Sequence, residues 1–502
     1  MEESRPLDLD EPGAKLTAKQ TCVRFCCVFF NVLSGFVNGY DICITTGILD
    51  DMDRDLKLCH DDGQISTCFA KEAVLSAVSL GALLSRLCCT NLAERFGRRA
   101  ALFLADVLIL TSLALQSGTR SISIFFVARG LVGMGMGLAF LITPIYLCEI
   151  APRSSRGLFV CLNEVAVCVG CLAGLHISAL DWMRQEWAWQ KAVALAAVPA
   201  AVQLVFVCLL PESPRWYANR GDVDGVDRAI RALGLQAETQ DLKAAARAAE
   251  GREDKSSCCW RHVSAWVDFK QPCSIAMGVA SCNAFVGTLS VQAYAHDLLK
   301  LCQVEDPDTV LPLIGWMKLA GALLAMLASD SRLVGRRRLV IGGSLLCTLC
   351  DATLAVHLAF PNQFPPGLAT ASVVLRIFGW NAGYGGVAFV VISEVLPNAV
   401  RSHFAAQCQV VGSVIDTLIF QLFETMLFAN SVATFVTFAT INLISCLFAV
   451  CCLPDFRGQA LEACAARTYG VLSEDVPNSP PVELPQVLGV QIGDRARDVK
   501  VL

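Results

Sequence analysis

The sequence predicts an all-α integral membrane protein in which twelve transmembrane helices form two pseudo-symmetric six-helix halves. Of its 502 residues, 55% are hydrophobic and 17% are charged, which is too apolar for a soluble surface. Twelve mostly apolar stretches are long enough to cross a bilayer, which takes about 20 residues per helix. Motifs of the first half recur in the second half at a nearly constant offset.

The twelve stretches are continuous apolar runs without the alternation of a membrane β-strand. Backbone groups that face lipid must bond within their own segment, so each run is predicted to be a helix. The predicted spans cover residues 22–49, 70–92, 100–118, 122–150, 158–180, 188–210, 273–299, 309–329, 338–359, 366–392, 403–428 and 431–453.

Polar segments divide the chain into five parts. A linker at 211–272, in which we expect short amphipathic helices on the cytoplasmic face, separates the first six helices (22–210) from the last six (273–453). Polar tails cover 1–21 and 454–502.

The loops set the expected orientation. The N-terminal tail lacks the basic region and short apolar core of a cleavable signal, so insertion begins with the first helix. Arginines concentrate in one alternate set of short loops, and the positive-inside rule therefore places both termini in the cytoplasm. The plasma membrane is the expected host, with an organellar membrane as the alternative. The arginines that set this orientation are Arg95, Arg98, Arg99, Arg153, Arg156, Arg332, Arg336, Arg337, Arg338 and Arg401.

Three motif pairs indicate that a six-helix unit is duplicated. "ERFGRR" and "RLVGRR" place Gly97 and Gly335 238 residues apart, and Glu149 and Glu394 are 245 apart. Pro211 and Pro454 are 243 residues apart. All lie at predicted cytoplasmic helix ends, which favours two halves related by an axis along the membrane normal and a substrate cavity between them.

Charge and cysteine content exclude some roles and leave one pairing open. A net charge of -5 without a basic domain gives no sign of a nucleic-acid partner. Most of the 25 cysteines fall inside spans, where they pack as small hydrophobic residues. Cys59 and Cys68 share the predicted exofacial loop and either pair under oxidising conditions or stay reduced.

Two charged residues at membrane depth are predicted to act together. Asp41 lies deep in the first span and Arg129 lies in the fourth. An ionised carboxylate there costs about 2.5–3.5 kcal/mol on insertion scales, so it needs a partner or a proton. An arginine nearby holds the acid ionised, and the acid takes a proton when the two part. The alternative is a permanent ion pair that only orients two helices.

Charged helix ends form a second predicted group, a cytoplasmic gate. Opposite charges at facing ends can hold the halves together in one state and release them in the other. The alternative is that the arginines only follow the positive-inside rule, although orientation needs no acids. The predicted gate residues are Arg98, Glu149, Arg156, Glu212, Arg215, Arg336, Glu394 and Arg401. Five more charged residues inside spans receive no predicted role: Arg86, Lys318, Asp351, Arg376 and Asp416.

The ordered set "ERFGRR", "RGLVGMGMGLAFLITPIYLCEIAPRSSRG", "PESPRW", "SEVLPNAVR" and "LPDFRGQALE" resembles the signatures of the sugar porter family of the major facilitator superfamily. The resemblance covers residues 38 to 462. "GYDI", "LADVLI" and "SSRG…NEV" most resemble the plant-type polyol and monosaccharide proton symporters. The resemblance implies that Asp41, paired with Arg129, carries the proton.

The resemblance also implies a substrate site. Glu164 stands at the family's fifth-helix glutamine, and Asn283 and Ala284 stand at the seventh-helix glutamine pair. Tyr294 and Gln407 are kept. Phe389 stands at the sugar-stacking tryptophan, whereas Leu289 and Cys408 depart from the family pattern. For each aromatic residue plain helix packing is the alternative.

The sequence therefore predicts a secondary active transporter, with proton-coupled symport of a monosaccharide, polyol or cyclitol by alternating access. A facilitator of a sugar or another organic solute is the alternative, and a non-transporting nutrient sensor on the same fold is the alternative of another class. The proton is the co-substrate, no cofactor or metal is expected, and the other partner is the lipid bilayer. No nucleotide loop, metal cluster or nucleophile pattern indicates an enzyme.

Overall fold

The computed structural model describes residues 17–56, 69–151, 156–180, 185–235, 239–249, 270–329, 331, 334–396 and 401–454. Cys59 and Cys68, whose pairing the sequence left open, lie outside these ranges, as do Arg153 and Arg332. The side chains of Arg156 and Arg401 also lie outside the description.

The described residues contain twelve helical spans, as predicted. Eleven helices in the described ranges are long and apolar enough to cross a membrane, and the second span contains the apolar stretch Ala73–Cys88. The first half consists of Ala18–Gly47, Phe69–Phe96, Arg98–Gly118, Ile122–Ile150, Arg156–Ser178, and Ala188–Leu195 continued by Ala197–Val207. The second half consists of Lys270–Phe285 continued by Thr288–Ala293 and Ala295–Leu301, then Pro307–Ala328, Gly335–Ala359, Pro366–Trp380 continued through Asn381–Gly385 to Gly386–Val395, Arg401–Ala429 and Ser431–Cys452.

Helix packing repeats between the halves. The first span packs on the fifth, the second and third on the fourth, and the third on the sixth. The equivalent pairs of the second half, seventh on eleventh, eighth and ninth on tenth, and ninth on twelfth, pack in the same way. Between the halves the fifth span packs on the eighth and the second on the eleventh. The duplication seen in the motifs is therefore present in the packing.

Three spans that the sequence predicted as continuous are interrupted. In the sixth, the break at Ala196 precedes Pro199, whose ring clashes with the carbonyl four residues earlier and which donates no hydrogen bond. The seventh breaks at Gly287, which has a φ of 65° that glycine adopts readily. The tenth passes through a π-helical segment at Asn381–Gly385. Interrupted helices at membrane depth are tolerated where they are buried in protein or border a cavity.

The described part of the linker contains three short helices, Pro214–Asn219, Val223–Leu233 and Thr239–Ala249. The first begins with Ser213, whose side chain accepts hydrogen bonds from the backbone N–H groups of Arg215 and Trp216. The next two pack together through buried apolar residues that include Val226 and Leu242. These helices mark one end of the bundle, called the linker end below.

Candidate functional site

A central cavity of about 200 Å³ lies between the two halves. Eight of the described spans border it: the first, second, fourth and fifth of one half, and the seventh, eighth, tenth and eleventh of the other. Both interrupted spans of the second half, the seventh and the tenth, contribute to its wall. Transporters place substrates near the midplane at such a junction, often against discontinuous helices.

Asp41 and Arg129 form a buried ion pair beside this cavity. Arg129 Nη1 lies 3.1 Å from each carboxylate oxygen of Asp41. The exposed side-chain fractions are 4% for Arg129 and 1% for Asp41. Arg129 borders the cavity, whereas Asp41 lies behind it. The two charges thus neutralise each other where solvation by water is weak.

Amide and aromatic side chains border the same space. Asn283 accepts a hydrogen bond from Trp380 Nε1 at 3.1 Å. Phe389 meets Phe140 edge to face, with ring centroids 5.3 Å apart. Glu164 also borders the cavity. Together they offer acceptors for hydroxyl groups and flat apolar faces for C–H surfaces.

Two residues expected at the substrate site do not border this cavity. Tyr294 is buried against Phe420 and Phe423, with centroids 6.0 and 5.6 Å away. Gln407 is also absent from the cavity wall, which instead contains Gln409, two positions further along the eleventh span. On a helix two positions differ by about 200°, so motif alignment alone cannot fix which of these residues faces inward.

The sequence reasoning missed several residues of the cavity wall. Trp380 lies nine residues before Phe389 in the same interrupted span and borders the cavity. Its position directly before the glycine-rich "NAGYGG" could have marked it as a candidate site residue. Three charged residues without a predicted role, Arg86, Lys318 and Asp416, also border the cavity. Arg86 donates a hydrogen bond to Ser413 of the eleventh span and is attracted by Asp416.

Comparison with known proteins decides the family. A sequence profile described as "Sugar (and other) transporter" matches residues 27–467. The chain belongs to this sugar transporter family.

The relatives of this transporter carry polyols, inositol and sugars according to their names. It is 26% identical over 450 residues to "Probable polyol transporter 4" of Arabidopsis thaliana, covering 87% of this chain and 83% of that protein. It is 24% identical over 491 residues to "Myo-inositol transporter 1" of Saccharomyces cerevisiae, covering 91% and 81%. These relatives are transporters, not enzymes.

The fold matches that of a solved transporter of the major facilitator superfamily. The proton:xylose symporter XylE, bound to 6-bromo-6-deoxy-D-glucose, superposes with a TM-score of 0.74 at 22% identity, covering 89% of this chain and 99% of that one. The inward-open XylE from E. coli gives 0.69 at 21% identity, covering 88% and 99%. This transporter therefore has the major facilitator fold that its motifs predicted.

The charged helix ends of this transporter meet at the linker end. Arg98 Nε and Nη2 lie 3.0 and 2.9 Å from the two carboxylate oxygens of Glu149. Glu212 accepts hydrogen bonds from the backbone N–H groups of Arg98 and Arg99. Burial raises the pKa of the Glu212 carboxyl, and these N–H donors oppose that shift.

The second half repeats the arrangement with an ion pair between Arg336 and Glu394. Both ion pairs join spans of the same half, the third to the fourth and the ninth to the tenth. Arg215 lies in the first linker helix. The predicted latch between the halves therefore stays a prediction, because the observed pairs hold together helix ends within each half.

Proposed function

We propose that this protein is a secondary active transporter that couples proton movement to the transport of a polyhydroxylated solute, a monosaccharide, polyol or cyclitol. The two halves rock about the central cavity and open it to each side of the membrane in turn. The linker end, with both termini, faces the cytoplasm. The host is the plasma membrane, with an organellar membrane as the alternative.

The buried Asp41–Arg129 pair at the cavity wall carries the proposal of proton coupling. Arg129 contacts both carboxylate oxygens of Asp41 and balances their negative charge. When rocking or solute binding moves Arg129 away, the bare carboxylate would be costly in the membrane interior, so it takes a proton. Asp41 then carries the proton. The approach and departure of Arg129 control when Asp41 holds that proton.

The substrate roles follow from the cavity wall. Glu164 and Asn283 supply hydrogen-bond partners for hydroxyl groups, and Phe389 supplies an apolar face. Trp380 and Gln409 also border the cavity and belong to the same proposed site. Tyr294 and Gln407 do not border the cavity, so their proposed role in substrate binding is indirect. At the linker end, the proposed gate between the halves consists of the charged residues Arg98, Glu149, Arg336 and Glu394, with Glu212, Arg215, Arg156 and Arg401.

Uptake into proteoliposomes tests the coupling. Asp41→Asn is expected to abolish accumulation driven by an inward proton gradient while counterflow of solute continues, because the binding cavity is intact. Asp106→Asn is the matched control, since Asp106 is 1% exposed in the third span and does not border the cavity. Accumulation that persists in Asp41→Asn and vanishes with an uncoupler would contradict the assignment of Asp41.

A facilitator is the second candidate. The symmetric contact of Arg129 Nη1 with both oxygens of Asp41 is also the geometry of a permanent pair that orients two helices. A facilitator would equilibrate its solute without accumulation at any proton gradient, and Asp41→Asn would then change stability rather than coupling. A non-transporting nutrient sensor would bind solute without moving it in either assay.

A further inference from the structure

The eighth span places a lysine in the wall of the central cavity. Lys318 is 1% exposed and borders the cavity. Its Nζ donates hydrogen bonds to Gln292 Oε1 at 3.0 Å and to Cys171 Sγ at 3.3 Å. The two partners are an amide oxygen and a cysteine sulfur, and neither is a carboxylate. A charged lysine at membrane depth is costly and marks a functional site by default.

The cations of the cavity differ in how their charge is balanced. Arg129 contacts both oxygens of Asp41, and Asp416 attracts Arg86. Within the residues that the structure describes, no carboxylate oxygen lies within 4.0 Å of Lys318 Nζ. Glu164 attracts Lys318 over a longer distance, across the boundary between the two halves. The Lys318 side chain thus borders the cavity, and no carboxylate of the described residues pairs with it directly.

We propose that Lys318 binds a carboxylate and that the transported solute is a sugar acid, a polyhydroxylated compound that carries one carboxylate. This inference rests on the proposed function of the cavity as a solute site and narrows its substrate class. A carboxylate accepts charge-assisted hydrogen bonds from an ammonium, which are about twice as strong as neutral ones. The amides of Asn38, Asn283 and Gln409 border the same cavity and serve the hydroxyl groups.

Glu164 accommodates this ligand by taking a proton. Among titratable groups, Glu164 faces Lys318 of the eighth span and the thiols of Cys168 and Cys171 on its own helix. Two carboxyl groups that share a site keep one proton between them. A protonated Glu164 donates a hydrogen bond to the solute, and Lys318 then balances the solute carboxylate. A neutral sugar would leave Lys318 without this partner.

Matched solutes test the inference on the purified full-length transporter. D-glucuronate and D-glucose differ at carbon 6 alone, and D-gluconate and myo-inositol provide an acyclic acid and a neutral cyclitol. We expect glucuronate or gluconate to raise the thermal unfolding temperature, and to inhibit uptake of the transported solute into proteoliposomes. Each effect should need concentrations at least about tenfold lower than those of glucose or myo-inositol, as a charge-assisted bond implies. This comparison needs no variant.

Variants then assign the effect to one side chain. Lys318→Gln is expected to abolish the preference for the acids, whereas Lys191→Gln, at an exposed lysine of the sixth span, keeps it. Neutral solutes that bind as tightly as the acids, or a Lys318→Gln variant that keeps the acid preference, would overturn the inference and leave the transporter function intact. If none of the four solutes binds or is transported, the inference and the proposed polyhydroxylated substrate class both fall.

Discussion

Asp351 Oδ1 lies 2.6 Å from Arg376 Nε in an ion pair that is fully buried in the second half. Asn442 Nδ2 donates to the other carboxylate oxygen at 2.8 Å. The same guanidinium donates to the Val286 carbonyl at 2.6 Å and to Thr288 Oγ1 at 3.1 Å. Val286 and Thr288 flank Gly287, where the seventh span breaks. Arg376 therefore supplies a hydrogen bond to one backbone carbonyl at the break, that of Val286.

Arg376→Gln is expected to destabilise the protein strongly. The substitution removes the charge that balances Asp351 and leaves a buried carboxylate unpaired, which typically costs about 3–5 kcal/mol. Denaturant titration of the detergent-solubilised protein measures this loss in the free energy of unfolding. Arg228→Gln is the control, because the Arg228 side chain is 75% exposed and its pair with Asp222 spans 3.9 Å. Equal stability of the two variants would contradict the role of Arg376.

Gly133→Ala is expected to loosen the contact between the second and fourth spans. A Cβ at Gly133 would overlap the backbone carbonyl of Val78, which has little freedom to move. Overpacking of this kind typically costs about 1–3 kcal/mol. Gly130→Ala is the matched control one turn away, where a Cβ meets nothing within 4 Å. Thermal unfolding should separate the two, and a Gly133→Ala variant as stable as Gly130→Ala would refute the close approach.

Trp380→Phe is expected to weaken solute binding without unfolding the protein. The change removes the indole N–H that orients Asn283 and keeps an aromatic ring at the cavity wall. Losing one hydrogen bond of about 0.5–1.5 kcal/mol raises Kd about two- to thirteenfold. Titration calorimetry with the transported solute measures the change. Trp316→Phe, at a 54% exposed ring of the eighth span, should leave Kd unchanged; a similar loss in both variants would exclude a specific role for Trp380.

Glu149→Gln is expected to weaken the linker end of the first half. Arg98 would lose a carboxylate that it contacts through two nitrogens in a mostly buried setting, at a cost of about 3 kcal/mol. Asp51→Asn is the contrast, since Asp51 pairs with an Arg54 side chain that is 53% exposed, and exposed pairs contribute about 0–1 kcal/mol. The free energies of unfolding of Glu149→Gln and Asp51→Asn, each compared with the unmodified protein, measure the contributions of the buried and the exposed pair. Indistinguishable values would show that burial does not strengthen the Arg98 pair.

Local sequence determined the helices, their number and their duplication. Long apolar runs can satisfy their backbone hydrogen bonds within the membrane only as helices, so the twelve spans followed from composition and length. The repeated motifs around Gly97 and Gly335 placed the equivalent helix ends, and the structure repeats the same packing pairs. Breaks such as that at Gly287 were not predicted, because one glycine in an apolar run fits either a continuous or an interrupted helix.

The sequence by itself determined that Asp41 and Arg129 lie at membrane depth, where each needs a partner, and the fold joined them. Only the tertiary structure decided which polar residues face the cavity. In the structure, Gln409 and Trp380 border the cavity, whereas Tyr294 packs away from it. Lys318 of one half lies near Glu164 of the other. The physical reason is that helical rotation and the junction between the halves depend on contacts among residues far apart in the chain, which the pattern of one span does not encode.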